Sequence, residues 1–261
     1  MTVTNTPAAG HPSDASDTRA PDDAVVRRPA VVRGVIFDVD GTLLDSNAAH
    51  TDAWVRALAE GGHSIRHDQV RPLIGMGADK VLPLLTGIEG HGPSADLIGE
   101  RRKRVFLDNL PLLSPQPGSR HLVQAVRDHG LAVSVASSAS AEELRQLLVA
   151  AGVADLIGDI VVSKDDASRS KPDPDIVRAA LERLGLPPEE VVMIGDTPYD
   201  IAAAQALGVA TITFRCGGWS SQELANAIAI YDNPQDLVND FDRSPLGLAV
   251  SSKQKAVGSK Q

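Results

Sequence analysis

The stretch VVRGVIFDVDGTLLDSN, residues 31–47, constrains this chain more than any other. A run of β-branched and apolar residues ends abruptly in two aspartates, a glycine and a threonine. The run reads as a strand covered on both faces, with Asp38 and Asp40 at its carboxyl end, where open α/β sheets place their chemistry. Paired acids on an apolar strand are costly to bury, so they require a partner: a divalent cation, a proton or a lysine. A phosphoryl-transfer site supplies all three.

Composition agrees with that reading without selecting it. A chain of 261 residues with 43% apolar content is long enough for one large domain or two modest ones with a sizeable core. A net charge of -9 argues against a general nucleic-acid binder. The densest basic run, RRKR at residues 101–104, reads as a solvated helix face. A single cysteine, Cys216, rules out an intrachain disulfide and points to a reducing compartment, with the thiol buried or incidental. Residues 1–28 are rich in Ala, Pro, Thr, Asp and Ser and read as a disordered tail, and residues 244–261 as a flexible one. The pair Arg27–Arg28 is too close to the acidic motif for a twin-arginine signal. No run is long enough to span a bilayer, so the expectation is a soluble, cytoplasmic protein, monomeric or homodimeric.

Between the tails the pattern alternates. Short apolar runs at 31–37, 131–136, 191–194 and 210–214 read as strands, and helical periodicity covers 121–129, 141–151, 175–184 and 201–207. This is a βαβ series, hence an α/β fold with a Rossmann-like, doubly wound parallel sheet. Residues 48–115 break the rhythm with helical periodicity and no clear strand. They are expected to form an α-helical cap inserted into a core made of 29–47 and 116–243, entered near residues 45–47 and left through 111–118.

Four places carry chemistry, each after a strand-like run or in the loop beyond it. The first is DVDGT, where Gly41 can take positive φ and turn the chain, bringing Asp38, Asp40 and Thr42 to one strand end. The second is VASSAS, where Ser137 and Ser138 and nearby backbone N–H groups make an anion cradle at a helix start. The third is SKPDPD, where Lys171 is a stiff loop lysine suited to fixed charge stabilisation. The fourth is MIGDTPYD, whose Asp196 and Asp200 complete an oxygen-rich site of the kind Mg²⁺ prefers. Taken singly, these are an acidic turn, a helix cap, a loop lysine and a helix start. All four in this order, each placed after a strand, are another matter.

The ordered set resembles the haloacid dehalogenase superfamily, in particular its phosphatase branch with a helical cap inserted after the first motif. The resemblance covers about residues 31–242 and implies a mechanism. Asp38 would be the nucleophile that forms an aspartyl phosphate, and Asp40 the acid that protonates the leaving alcohol and later, as base, activates water. Ser137 and Lys171 would bind phosphoryl oxygens. Mg²⁺ would be held by Asp38, the backbone carbonyl of Asp40 and Asp196, with Asp200 in support. A carboxylate attacking a phosphate dianion needs this neutralisation, and Asp40 can carry protons only if its side chain is not a metal ligand. The aspartate at position 40 separates this chain from the dehalogenases that displace halide.

Substrate choice is expected in the cap. His50, in DSNAAHTDAW, has a spacing similar to that of sugar-phosphate phosphatases and β-phosphoglucomutase-like members, where such a histidine faces the substrate; alternatively it is structural. In IGMGADK, Gly75 and Gly77 would let a cap loop press on the catalytic face and bring Lys80 or Asp79 to the leaving group; alternatively the segment is an interhelical turn with Asp79 near the helix start. The expected substrate is a small phosphorylated metabolite of the sugar phosphate or phosphoglycolate type, hydrolysed or, in a mutase, isomerised. A phosphoaccepting receiver module would be about half this size and would need no helical insert. A catalytically dead binding protein is opposed by the completeness of the four motifs.

Overall fold

The computed structural model describes residues 28–158 and 161–249. Among them a six-stranded, all-parallel sheet runs in the order β3-β2-β1-β4-β5-β6. The strands are β1 (Gly34–Phe37), β2 (Ala132–Ala136), β3 (Val161–Val162), β4 (Val191–Gly195), β5 (Ala210–Phe214) and β6 (Ala229–Tyr231). The four longest coincide with the apolar runs. β3 and β6 escape sequence patterning because each has three residues or fewer, at a sheet edge, and β6 is only half buried. Every residue of β1, β4 and β5 is buried, which is what helices on both faces demand.

Side-chain alternation divides the core into two layers. Val35 and Phe37 of β1, with Val192 and Ile194 of β4, face the side covered by α5 (Ser119–Asp128), α6 (Ala141–Ala150), α7 (Ala154–Ile157) and α10 (Pro234–Asn239). Ile36, Val191 and Met193 face α8 (Asp175–Leu184) and α9 (Pro198–Gln205). The chain winds outward from β1 to β3 and then crosses to β4 on the other side of β1. The crevice at the carboxyl ends of β1 and β4 is therefore the switch point where such sheets bind ligands.

The inserted block holds α1 (Asn47–Glu60), α2 (His67–Val70), α3 (Ala78–Thr86) and α4 (Pro93–Asn109). It has its own apolar centre, with Trp54, Leu58, Val81, Leu82 and Ile98, while Ala53, Val105 and Phe106 join the core below. Its two crossings run side by side: Asp45 N–H donates to the Ser114 carbonyl at 3.0 Å and Gln116 N–H to that of Leu43 at 2.9 Å. The cap loop is tied down over the sheet. Lys80 Nζ meets Asp173 at 2.6 Å, Ser170 Oγ donates to Asp79 at 2.5 Å, Tyr199 OH donates to the Pro72 carbonyl at 2.5 Å and Arg71 donates to that of Gly217.

Two expectations are corrected. The basic run at 101–104 is not a uniformly solvated face: Arg102 is 15% exposed and reaches across to the core. The flexible C-terminal tail does not start at Ser244. Ser244 is buried and donates to the Phe241 carbonyl at 2.6 Å, and a helical turn over 245–249 inserts Leu246 and Ala249 into the core. Residues 250–261, like residues 1–27 of the expected N-terminal tail, lie outside the described residues. No helix among the described residues is long and apolar enough to cross a membrane.

Leu246 is fully buried, so Leu246→Ala is expected to cost about 2–5 kcal/mol in denaturant unfolding. An unchanged midpoint would contradict this placement of the C-terminal turn.

Candidate active site

The four motifs converge at the carboxyl edge of the sheet. Asp38 follows β1 directly and Asp196 follows β4. Lys171, in the loop between β3 and α8, crosses 133 positions of sequence to donate from Nζ to Asp38 Oδ1 at 2.5 Å, and it lies 2.8 Å from Asp200 Oδ1. Its side chain is 1% exposed. Asp200 sits in the first turn of α9 because Thr197 caps that helix: Asp200 Oδ2 accepts from Thr197 N at 3.0 Å and from Thr197 Oγ1 at 2.8 Å.

Thr42 is beneath the carboxylates and faces them, not the open cleft. Its Oγ1 donates to Asp196 Oδ1 at 2.9 Å and lies 3.3 Å from Asp38 Oδ2. Asn47 Nδ2 holds the other Asp196 oxygen at 3.0 Å. Gly41 makes this possible. Its φ is 78°, and a Cβ there would stand 2.3 Å from both Asn47 Nδ2 and Asp196 Oδ2.

Asp38, Asp196 and Asp200 each bring a carboxylate oxygen within 4.8 Å of the others. Three buried acids face one ammonium, so the cluster is short of positive charge. Burial drives the Asp38 carboxyl well above its ordinary range, against the attraction of Lys171 and helped by the neighbouring acids. Burial and then the charge of Asp200 push Asp196 up to about 7. Burial works against the Lys171 ammonium, but Asp200 and Asp38 outweigh it and its pKa is raised. An all-oxygen donor set with excess negative charge suits a hard divalent cation.

Asp40 stands apart from that cluster. Its Oδ1 accepts from Ser46 Oγ at 2.6 Å and lies 2.7 Å from His50 Nε2, both at the start of the cap. Burial pushes the Asp40 carboxyl up, yet His50 beside it, the hydrogen bonds from His50 and Ser46, and the Arg102 charge behind them win and lower it. Two acids separated by one residue are thus shifted in opposite directions.

A cleft opens between cap and core, lined by Asp38, Asp40, His50, Gly75, Ser138 and Arg102 among others. Ser138 Oγ is buried there with no hydrogen-bond partner among the described residues. Ser137 is fully buried, and its Oγ accepts from the Ala139 N–H at 3.1 Å. Gly75, with φ of 109°, lets the cap loop approach so closely that a Cβ would stand 2.8 Å from Thr197 Cγ2. Lys80 is not brought to the cleft: its ammonium is taken by Asp173 on the core. Conversely, sequence reading passed over Glu143 and Lys164, which also line the cleft, and Asn47 beside Asp196, and it took Arg102, another lining residue, for part of a solvated face. Glu143 looks like any acid in a first helical turn, and its partner Arg102 is hidden in a basic run 41 positions away.

A family model described as haloacid dehalogenase-like hydrolase matches residues 32–208. The phosphoglycolate phosphatase of Rhodospirillum rubrum is 33% identical over 212 residues, spanning 77% of this chain and 87% of that protein. The phosphorylated carbohydrates phosphatase of Thermotoga maritima is 29% identical over 185 residues, spanning 69% and 84% respectively. Among solved structures, a hydrolase from Pseudomonas syringae has a TM-score of 0.76 at 28% identity, covering 81% of this chain and 98% of that one.

The Asp196 shift fixes a pH dependence for the metal-free protein. Below about pH 4 the carboxyl is protonated in both folded and unfolded chains; between there and about 7 only the folded chain keeps the proton. Stability should therefore fall as pH rises through that window, by on the order of a few kcal/mol, and level off above it. A divalent cation should raise the melting temperature more at about pH 8 than at about pH 5. A metal-free melting temperature that rises steadily from pH 4 to 7 would contradict the charge imbalance.

Proposed function

The chain belongs to the haloacid dehalogenase-like hydrolase family, and from its site we propose an Mg²⁺-dependent phosphatase of small phosphorylated metabolites, of the sugar phosphate or phosphoglycolate type. The observation that carries this reading is the separation of Asp38 from Asp40. Asp38 lies in a cluster of acids held by Lys171, whereas Asp40 lies free of that cluster, turned to the cap and facing the same cleft.

In the first half-reaction a bond forms between an Asp38 carboxylate oxygen and phosphorus, and the bond from phosphorus to the substrate's ester oxygen breaks. Asp40 gives that departing oxygen its proton. A phosphate dianion beside Asp40 raises its proton affinity, so substrate itself favours the acid form. In the second half-reaction Asp40 takes a proton from water as the water oxygen attacks phosphorus, and Asp38 is released as a carboxylate. Lys171 keeps the Asp38 carboxylate oriented, and Ser137 offers its hydroxyl and Ser138 its hydroxyl and backbone N–H to the phosphoryl oxygens, the Ser137 N–H being held by the Val162 carbonyl at 3.1 Å. Asp38, Asp196 and the backbone carbonyl of Asp40 would hold Mg²⁺, with Asp200 in support, and the ion when bound would neutralise the anionic nucleophile and phosphate. Gly75 places the cap loop over the cleft, and His50, which lines the same cleft, meets Asp40.

Hydrolysis is favoured over the mutase alternative because the relatives named above are phosphatases. A single thiol, Cys216, whose pKa burial pushes up to about 12, suits a cytoplasmic enzyme with no thiol chemistry, monomeric or homodimeric.

Phosphate release from a panel of sugar phosphates, phosphoglycolate and nucleotides tests the reading. Asp38→Asn should abolish turnover and Asp40→Asn should reduce kcat by about 10²–10⁴-fold. EDTA should stop the reaction and added Mg²⁺ restore it. Turnover that survives Asp38→Asn would overturn the covalent mechanism.

A further inference from the structure

We propose that Arg102 is a positioning residue: seated on Glu143 of the core, it fixes the ring of the cap residue His50 with Nε2–H directed at Asp40. This rests on Asp40 being the proton carrier.

The seat is built from both sides of the cleft. Arg102, on α4 of the cap, makes two parallel hydrogen bonds to Glu143 on α6 of the core, at 3.1 and 2.9 Å. The Glu143 side chain is only 2% exposed, so this is a paired, buried carboxylate and not a surface contact. The guanidinium carbon lies 5.9 Å from the Trp54 ring centroid and 6.0 Å from that of Phe106. Phe106 in turn stacks on His50, with ring centroids 3.8 Å apart and planes 4° from parallel. The imidazole therefore has one orientation, with Nδ1 at 3.3 Å from Arg102 Nη1 and Nε2 at 2.7 Å from Asp40 Oδ1.

The chemistry of arginine decides the tautomer. A guanidinium has donors and no acceptor, so the nitrogen that faces it must present a lone pair. With Nδ1 accepting, the one hydrogen of a neutral imidazole sits on Nε2 and points at the Asp40 carboxylate. The other tautomer would set two donors face to face at Nδ1 and two acceptors face to face at Asp40. The imidazolium would keep the first of these conflicts. Because His50 and Arg102 belong to the cap and Glu143 to the core, the arrangement exists only when the cap is seated. Arg102 thus couples cap closure to the orientation of the group that holds Asp40.

Side-chain proton–nitrogen correlation spectra of the full chain with Mg²⁺, with the His50 signals assigned by their loss in His50→Gln, test this directly. The wild type should show His50 as the Nε2–H tautomer, and Arg102→Met and the isosteric Glu143→Gln should each lose that preference. In steady state each variant should lower kcat by about tenfold or more, with KM changing far less, and the double variant should be no slower than the worse single. An imidazolium or an Nδ1–H tautomer in the wild type, or an unchanged tautomer in both variants, would overturn the assignment. Should the wild type release no phosphate from any ester, the phosphatase reading fails while the spectra still decide the tautomer.

Discussion

The buried ammonium of Lys171, clamped between Asp38 and Asp200, is the interaction on which the rest of the site depends. It joins the end of β1, the loop before α8 and the first turn of α9, so three segments far apart in sequence share one charge. Removing one member of such a buried pair leaves its partner uncompensated, a loss of about 3–5 kcal/mol in comparable cases. The clamp also fixes what the site lacks. One ammonium against Asp38, Asp196 and Asp200 leaves a deficit of positive charge, which together with burial raises the proton affinity of Asp38 and Asp196.

The second constraint is spatial. The core supplies the proposed nucleophile, Asp38, and the charge of Lys171 beside it, and the cap supplies the surroundings of Asp40 through Ser46 and His50. Opposite environments push the two carboxyls apart in proton affinity, which is how neighbouring acids come to have different tasks. The polar cap loop, docked through Asp79, Lys80 and Tyr199, then covers the cleft in which these tasks meet. Lys80, the lysine that looked suited to substrate, is spent on this docking.

What could be read from the sequence followed from how local the signal is. Strands β1, β2, β4 and β5 announce themselves because burial on both faces favours near-continuous apolar and β-branched runs, and the residues that follow three of them, Asp38, Ser137 and Asp196, can be placed by position alone. β3 and β6 carry too few residues for periodicity, and the turn holding Leu246 was read as tail because its apolar stretch, PLGLA at residues 245–249, is short and set in hydrophilic sequence. The cap–core pairs were invisible for a different reason. Arg102 with Glu143, and Lys80 with Asp173, are ordinary surface residues on their own helices or loops, and only the docking of two units makes them partners.

The central claim is that a phosphoryl group passes through Asp38. Rapid acid quench during turnover of the best substrate, followed by peptide mapping by mass spectrometry, tests it most directly. The account predicts a labile phosphoryl group on the peptide that contains Asp38, formed within the first turnover and absent from Asp38→Asn. A phosphoryl group trapped on any other residue would contradict it.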